Sequence, residues 1–302
     1  MIHSLRLGYL TLATDRLENM VDFYTKVIGL SITSVEKDGS TYLSTGIDHH
    51  NLILQPSSEE KGLVNYGLQI ENKHSLTELT EQLKEMGISA QLVKKPSVGI
   101  EEYIVVKDNE GKPVHLFQHM HTHTHNKGMT GIGVNPNKLG HLAQWVKDPQ
   151  QTVDFYENAL DFRVSDWLKD FFVFMRCNQD HHSLNFIKTD GDKSSNRLHH
   201  FAFELRDWGH MKDALDFLGK HKTPVIWGPL RHGIGHNLAA YIPDPDGNMV
   251  ELFTELDIMN EELGYFEPKA WHKEYPQKPK VWTDEALATS PWGIKPPHGM
   301  LE

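Results

Sequence analysis

Apolar residues recur along the chain at two periods, and the two periods alternate. Leu17, Met20, Val21, Tyr24, Val27 and Ile28 fall on one face of a helix, as do Val153, Tyr156, Ala159 and Leu160 further on. Leu76, Leu79, Leu83 and Met86 outline a second helix ended by Gly87, and Met211, Ala214, Leu215 and Leu218 outline its counterpart ended by Gly219. Asp148-Pro149 places a capping side chain ahead of a proline at the first helical position. Short runs between these stretches, such as Phe171-Phe172-Val173-Phe174-Met175, predict strands. The pattern predicts four βαβββ modules, near residues 2–53, 62–118, 139–188 and 196–254.

A longer repeat joins these modules in pairs. Gly8-Tyr9-Leu10, followed by Met20-Val21-Asp22-Phe23-Tyr24, returns as Gly140-His141-Leu142, followed by Thr152-Val153-Asp154-Phe155-Tyr156. The interval from Tyr9 to His141 equals that from Tyr24 to Tyr156. Glu110-Gly111-Lys112-Pro113-Val114-His115-Leu116-Phe117 matches Asp246-Gly247-Asn248-Met249-Val250-Glu251-Leu252-Phe253 at a slightly larger interval, and Tyr66 pairs with His200 in between. So slow a drift means two copies of one unit separated by a few loop insertions. The fold class expected is α+β, with an N-terminal domain at 1–118, a His-rich linker at 119–138, a C-terminal domain at 139–255 and an aromatic, proline-rich tail at 256–302. Trp271, Trp282 and Trp292 make that tail too aromatic for a disordered segment, so it is expected to pack on the body.

Composition narrows the function. The net charge of −11 argues against nucleic acid or an anionic membrane as a partner, since both need a basic surface. No apolar run approaches a membrane span, Met1-Ile2-His3-Ser4 does not open a signal peptide, and the lone Cys177 fits a reducing compartment; a cytoplasmic location is expected. Cys177 itself reads as an inert buried thiol. Twenty histidines are the anomaly, because histidine is the commonest metal ligand. Those at 119, 121, 123 and 125 lack an accompanying carboxylate, and read as a solvated linker with adventitious metal affinity.

Three matching places in the two copies carry different chemistry. The second copy has His141, His200 and Glu251 where the first has Tyr9, Tyr66 and His115. Singly, each is a hydrogen-bonded strand residue. Together, two imidazoles and a carboxylate form the facial set that suits Fe(II) and leaves neighbouring positions open. His200 is preferred to His199 because it aligns with His141, and alternation would put His199 on the helix-packing face with Phe201, Phe203 and Leu205. Asp244-Pro245-Asp246-Gly247-Asn248 predicts a type I turn with Gly247 left-handed. That turn sets Tyr241 directly across from Glu251, and in the first copy it sets Val105 across from His115.

At this point residues 5–255 resemble the vicinal oxygen chelate superfamily, and within it the type I extradiol ring-cleaving dioxygenases of the catechol 2,3-dioxygenase kind. The most specific stretch is Gly228-Pro229-Leu230-Arg231-His232-Gly233-Ile234-Gly235-His236, leading through Tyr241 to Glu251, with His232 nine residues before the tyrosine and Glu251 ten after it. His181-His182-Ser183-Leu184-Asn185-Phe186 resembles the strand with the family's acid/base histidine, at His182. Ala143, Leu230 and Ala240 depart from the family's usual residues. The resemblance implies that each pair of modules forms a cupped mixed sheet around a cavity. It implies a metal held by His141, His200 and Glu251, with Fe(II) first and Mn(II) also fitting, and His182, His232 and Tyr241 as catalytic residues. The activity implied is extradiol (meta) cleavage of a catechol-type diol with insertion of both atoms of O2, in a homo-oligomer. Two alternatives share the scaffold: a glyoxalase-type metal isomerase or lyase, which usually draws ligands from both copies, and a metal-free small-molecule-binding protein.

Overall fold

The computed structural model describes residues 1–123, 132–191 and 197–301. Four βαβββ modules follow one another in the order the hydrophobic periods predict. The first is β1 (Ser4–Thr14), α1 (Leu17–Asp22), β2 (Ser31–Val35), β3 (Thr41–Ser44) and β4 (Leu52–Pro56). The second is β5 (Gly62–Ile70), α2 (Leu76–Glu85), β6 (Ala90–Ser97), β7 (Ile100–Lys107) and β8 (Pro113–Phe117). The second half repeats this with β9 (Lys138–Val146), α3 (Pro149–Leu160), β10 (Arg163–Leu168), β11 (Phe172–Arg176) and β12 (Leu184–Lys188). Its last module is β13 (Leu198–Glu204), α4 (Trp208–Lys220), β14 (Trp227–Arg231), β15 (Leu238–Pro243) and β16 (Met249–Thr254). The tail adds a short pair, β17 (Met259–Asn260) and β18 (Tyr265–Phe266), then β19 (Lys280–Trp282) and α5 (Glu285–Thr289).

Each half forms one mixed sheet. The first runs β2-β3-β4-β1-β5-β8-β7-β6, and the second has the same order from β10 through β9 and β13 to β14, with β19 added in parallel to the β10 edge. The seam of each half is antiparallel, β1 with β5 and β9 with β13, and each of these strands takes a parallel partner on its other side. That pairing sets matching positions of two modules beside each other on one face, which is what assembles a site from residues far apart in sequence.

One hydrophobic core serves both halves. It contains Leu10, Tyr24 and Tyr66 of the first half and Tyr156, Phe186 and Phe201 of the second. The contacts are reciprocal: Tyr24, on the helix of the first module, lies over Phe201 of β13 and donates a 2.8 Å hydrogen bond to Asp244, while Tyr156 of α3 hydrogen-bonds Tyr66 of β5. Two separable domains would bury less apolar surface each.

Local structure departs from expectation in three places. The first helix continues past Asp22 as a π-helical turn, Phe23–Ile28, closed by left-handed Gly29. Helix α2 stops before left-handed Gly87 as expected, but α4 runs through Gly219 to Lys220, and the left-handed position falls on Lys222. The linker is not wholly solvated, since the backbone of His121 and His123 bonds to Gly99, His49 and Ile47 of the first half; His125 lies outside the described residues. The tail packs on the body as expected, with Trp282 against the cluster of Trp145, Phe172 and Phe174. Among the described residues, no helix is long and apolar enough to cross a membrane.

Candidate metal centre and its cavity

The hairpin between β15 and β16 has the predicted register. Asp244 and Asn248 close the turn, Gly247 is left-handed at φ +84°, and Tyr241 faces Glu251. In the seam, His141 of β9 lies opposite Ala202, and His200 of β13 lies opposite Ala143, so both imidazoles leave the same face beside Glu251. His141 Nε2, His200 Nε2 and Glu251 Oε2 form a triangle with edges of 3.1, 3.2 and 3.3 Å. Metal–ligand bonds of about 2.1 Å at right angles would separate their ligand atoms by about 3.0 Å. The donor set therefore fits one divalent ion capped on one side, with the remaining side facing the cavity.

Burial and neighbouring charge hold Glu251 and His200 in the protonation states a metal needs. Desolvation alone would raise the Glu251 carboxyl, but His141 and then His200 outweigh it and hold it well below its ordinary range. Burial, first of all, holds the imidazoles of His200, His182 and His232 below their ordinary value, and His182 well below. Tyr241 is raised well above 10.0 by burial and then by the Glu251 charge, so it remains a neutral phenol. The second oxygen of Glu251 accepts a 3.0 Å bond from Asn237 Nδ2.

The cavity over the triangle holds about 530 Å³ of non-atom space. His141, His200, Glu251, His182, His232 and Tyr241 all line it, so the structure brings together every residue the sequence placed there. His182 packs against His141, with ring centroids 4.3 Å apart. Its Nδ1 lies 2.9 Å from His181 Nδ1, and His181 Nε2 lies 3.2 Å from Asp166 Oδ2. His232 Nδ1 donates to the Thr289 carbonyl at 2.8 Å, which leaves Nε2 to accept from the Tyr241 hydroxyl, also at 2.8 Å. Apart from Asn185, His199, Asn237 and Thr289, the rest of the wall is apolar, with Leu168, Phe172, Phe174, Trp227, Ile234 and Met300 its larger side chains.

Three placements are corrected by the register. The β9–β13 pairing slips between Leu198 and His200, so His199 is the extra residue of a bulge; it lines the cavity instead of the helix-packing face. In the first half Asn65 lies opposite Thr11 as His200 lies opposite Ala143, so Asn65, not Tyr66, is the counterpart of His200. Tyr66 is a core residue. Finally, β12 begins at Leu184, after His182; the strand's cavity-facing residue is Asn185, while Leu184 and Phe186 point into the core. Of the first-half counterparts of the triangle, Tyr9 Oη and His115 Nδ1 bond each other at 2.6 Å, and Asn65 Oδ1 accepts from Thr11 Oγ1 at 3.0 Å.

A second group, His236, Asp257 and His272, also lies close together. Here each imidazole reaches a different oxygen of Asp257, at 2.7 and 3.0 Å. Lys269 N–H points at His272 Nδ1 at 3.3 Å, which makes His272 Nε2 a hydrogen donor to Asp257 and the group a clasp on the tail. Arg231 adds to it by bonding the His236 carbonyl and Glu255 and by stacking on Trp271, 4.2 Å from its ring centroid. Cys177 is buried, and burial pushes its thiol up to about 12.

Fold and site together define a two-copy scaffold with a candidate metal centre in its second copy. The sequence profile of the Glyoxalase/Bleomycin resistance protein/Dioxygenase superfamily matches residues 6–116 and 138–252, and the chain belongs to that superfamily. A manganese-dependent 2,3-dihydroxybiphenyl 1,2-dioxygenase of Geobacillus genomosp. 3 is 24% identical, over 92% of this chain and 93% of the relative. The crystal structure of homoprotocatechuate 2,3-dioxygenase from Arthrobacter globiformis superposes with a TM-score of 0.82 at 22% identity, covering 99% of this chain and 90% of that one. A Mn(II)-bound glyoxalase from Novosphingobium aromaticivorans superposes with a TM-score of 0.83 at 20% identity, covering 100% and 95%.

Proposed function

We propose that the protein is an extradiol dioxygenase, cleaving the ring of a catechol-type diol beside the diol and inserting both atoms of O2. The observation that carries this reading is the triangle of His141, His200 and Glu251 on one wall of a largely apolar cavity, with His182, His232 and Tyr241 around it. The family's ring-cleaving members support it, and so does the donor set, since three protein ligands leave room for a chelating diol and for O2. Fe(II) or Mn(II) bound there would supply Lewis acidity that favours loss of the diol's protons.

The chain's own groups do the rest. Tyr241 gives its hydrogen to His232 Nε2, so its oxygen lone pairs accept from a substrate hydroxyl and fix the ring's orientation. His182, neutral through burial and beside His141, takes a proton at Nε2 and returns it to the oxygenated ring. The apolar wall excludes water. No lysine or arginine stands among the described residues lining the cavity, so a ring bearing a carboxylate would meet no cation. The substrate class is therefore a catechol with an uncharged, apolar substituent.

Anaerobic loading with Fe(II) or Mn(II), followed by oxygen uptake, tests the reading. Uptake with 3-methylcatechol or 2,3-dihydroxybiphenyl, with a coloured ring-opened product, is expected. A loaded protein that consumes no oxygen with any catechol would overturn the activity. Preference for 3,4-dihydroxyphenylacetate would overturn only the substrate class.

A further inference from the structure

Three imidazoles in the cavity are tied to the C-terminal tail by hydrogen bonds, one directly, one through a single neighbour and one through two. A backbone carbonyl can only accept, so the ring nitrogen facing it carries the hydrogen, and the opposite nitrogen is left with its lone pair. His232 Nδ1 faces the Thr289 carbonyl at 2.8 Å. His199 Nε2 faces the Met300 carbonyl at 2.5 Å, which leaves His199 Nδ1 to accept from His200 Nδ1, also 2.5 Å away. His200 Nε2 is then left without a hydrogen, and His141 Nε2, 3.1 Å from Glu251 Oε2, is the imidazole nitrogen that donates to the carboxylate. On the opposite wall Asp166 plays the carbonyl's part: its Oδ2 accepts from His181 Nε2, so His181 Nδ1 accepts from His182 Nδ1. Asp166 is itself held by the tail, through Lys280 N–H and Trp282 Nε1–H, both at 2.9 Å.

We propose that the tail segment from Lys280 to Met300 is a positioning element of the metal centre, because it holds His200, His182 and His232 in the Nδ1–H tautomer, with Nε2 of His200 and His182 left to the cavity and Nε2 of His232 accepting from Tyr241. In water a free imidazole favours the opposite tautomer, with hydrogen on Nε2, so without these partners His200 would have to exchange tautomer before it could bind a metal ion. His199 is the pivot of the device: a bulge residue outside the donor triangle, joining His200 to the tail backbone. The tautomer assignment stands on hydrogen-bond geometry alone; only its consequence for metal affinity rests on the proposed metal centre.

The test uses metal-free, full-length protein labelled with 15N-histidine. Long-range 1H–15N spectra should show His200, His182 and His232 with hydrogen on Nδ1; hydrogen on Nε2 of His200 would overturn the proposal. Ending the chain after His298 removes the Met300 carbonyl. The His200 signals should then move toward a tautomer mixture, and Mn2+ affinity measured by anaerobic titration should fall by about 10- to 100-fold. Unchanged spectra and unchanged affinity in the shortened, folded chain would overturn the proposal. Should that chain fail to fold, full-length His199→Gln and His199→Phe decide. The Gln amide both donates to Met300 and accepts from His200, so it should keep the affinity that Phe loses, whereas equal affinity in the two variants would refute the relay. No Mn2+ binding by the unaltered protein would sink the metal centre while leaving the tautomer result to stand.

Discussion

Glu251 lines the cavity of the second copy, whereas Tyr9, the first copy's match to His141, is buried in a cluster with Tyr42, Ile53 and Phe117, and their surroundings give them opposite expected roles. Glu251 shares one oxygen with two imidazoles and is buried with its charge, whereas the Tyr9 hydroxyl is satisfied by His115. Glu251→Ala should therefore abolish metal retention, measured as metal content after dialysis, and Tyr9→Phe should leave it near one ion per chain. Equal loss in both would contradict the second-copy assignment. His182→Phe keeps ring volume but removes the nitrogen facing the cavity; turnover is expected to fall by about 10²- to 10⁴-fold with metal content unchanged. The three candidate ligands were legible in the sequence because the two copies differ at those places in chemistry that is costly to bury without a purpose. His199, Asn185 and Asn237 were not. Each reaches the site through a bulge, a late strand start or a loop, none of which a regular alternation can anticipate.

At the scale of elements, turn chemistry was the most readable signal. The Asp-Pro-Asp-Gly hairpin alone fixes the register of Tyr241 and Glu251, because a two-strand register follows from its turn. The β1–β5 and β9–β13 seams have no turn to set them, and their slips put the Tyr66–His200 match one residue out. The close approach of strands makes Gly140 a sensitive point. A Cβ there would lie 2.4 Å from the Phe253 ring, and Phe253 packs on His141 with centroids 5.0 Å apart. Gly140→Ala should cost about 1–3 kcal/mol through overpacking and weaken Mn2+ binding, as thermal melts and titration would show. The first copy offers a pH signature of its own. Burial lowers the His50 imidazole to about 3, so between its unfolded value of 6.5 and that point the unfolded chain binds more protons than the folded one. Stability contributed by neutral His50 is thus present above 6.5 and lost as pH falls, at a slope of up to about 1.4 kcal/mol per pH unit. Urea midpoints between pH 6.5 and 5 should fall less steeply in His50→Phe; an identical slope would mean that His50 does not carry this proton.

On the scale of the whole molecule, the repeat was legible and the way its copies join was not. Repeats announce two units, and a sequence read alone suggests two separable cores. Instead the helix of each leading module reaches the opposite half, through Tyr24 to Phe201 and Asp244 and through Tyr156 to Tyr66. The tail was opaque for a related reason, because its partners Asp166, His236 and Arg231 belong to different parts of the second half and impose no period on it. The shared core makes a measurable demand. All seven tryptophans lie from Trp145 onward, so tryptophan emission reports on the second half alone. Leu10 is fully buried in the first half, inside the common core. Leu10→Ala should remove about 2–5 kcal/mol through the cavity it leaves. If the halves unfold as one body, the tryptophan transition must move to lower denaturant by the whole of that amount, coincident with the loss of far-UV circular dichroism. A tryptophan midpoint that stays in place while part of the dichroism melts earlier would show two independent domains, and Tyr24 and Tyr66 would then be surface contacts between them.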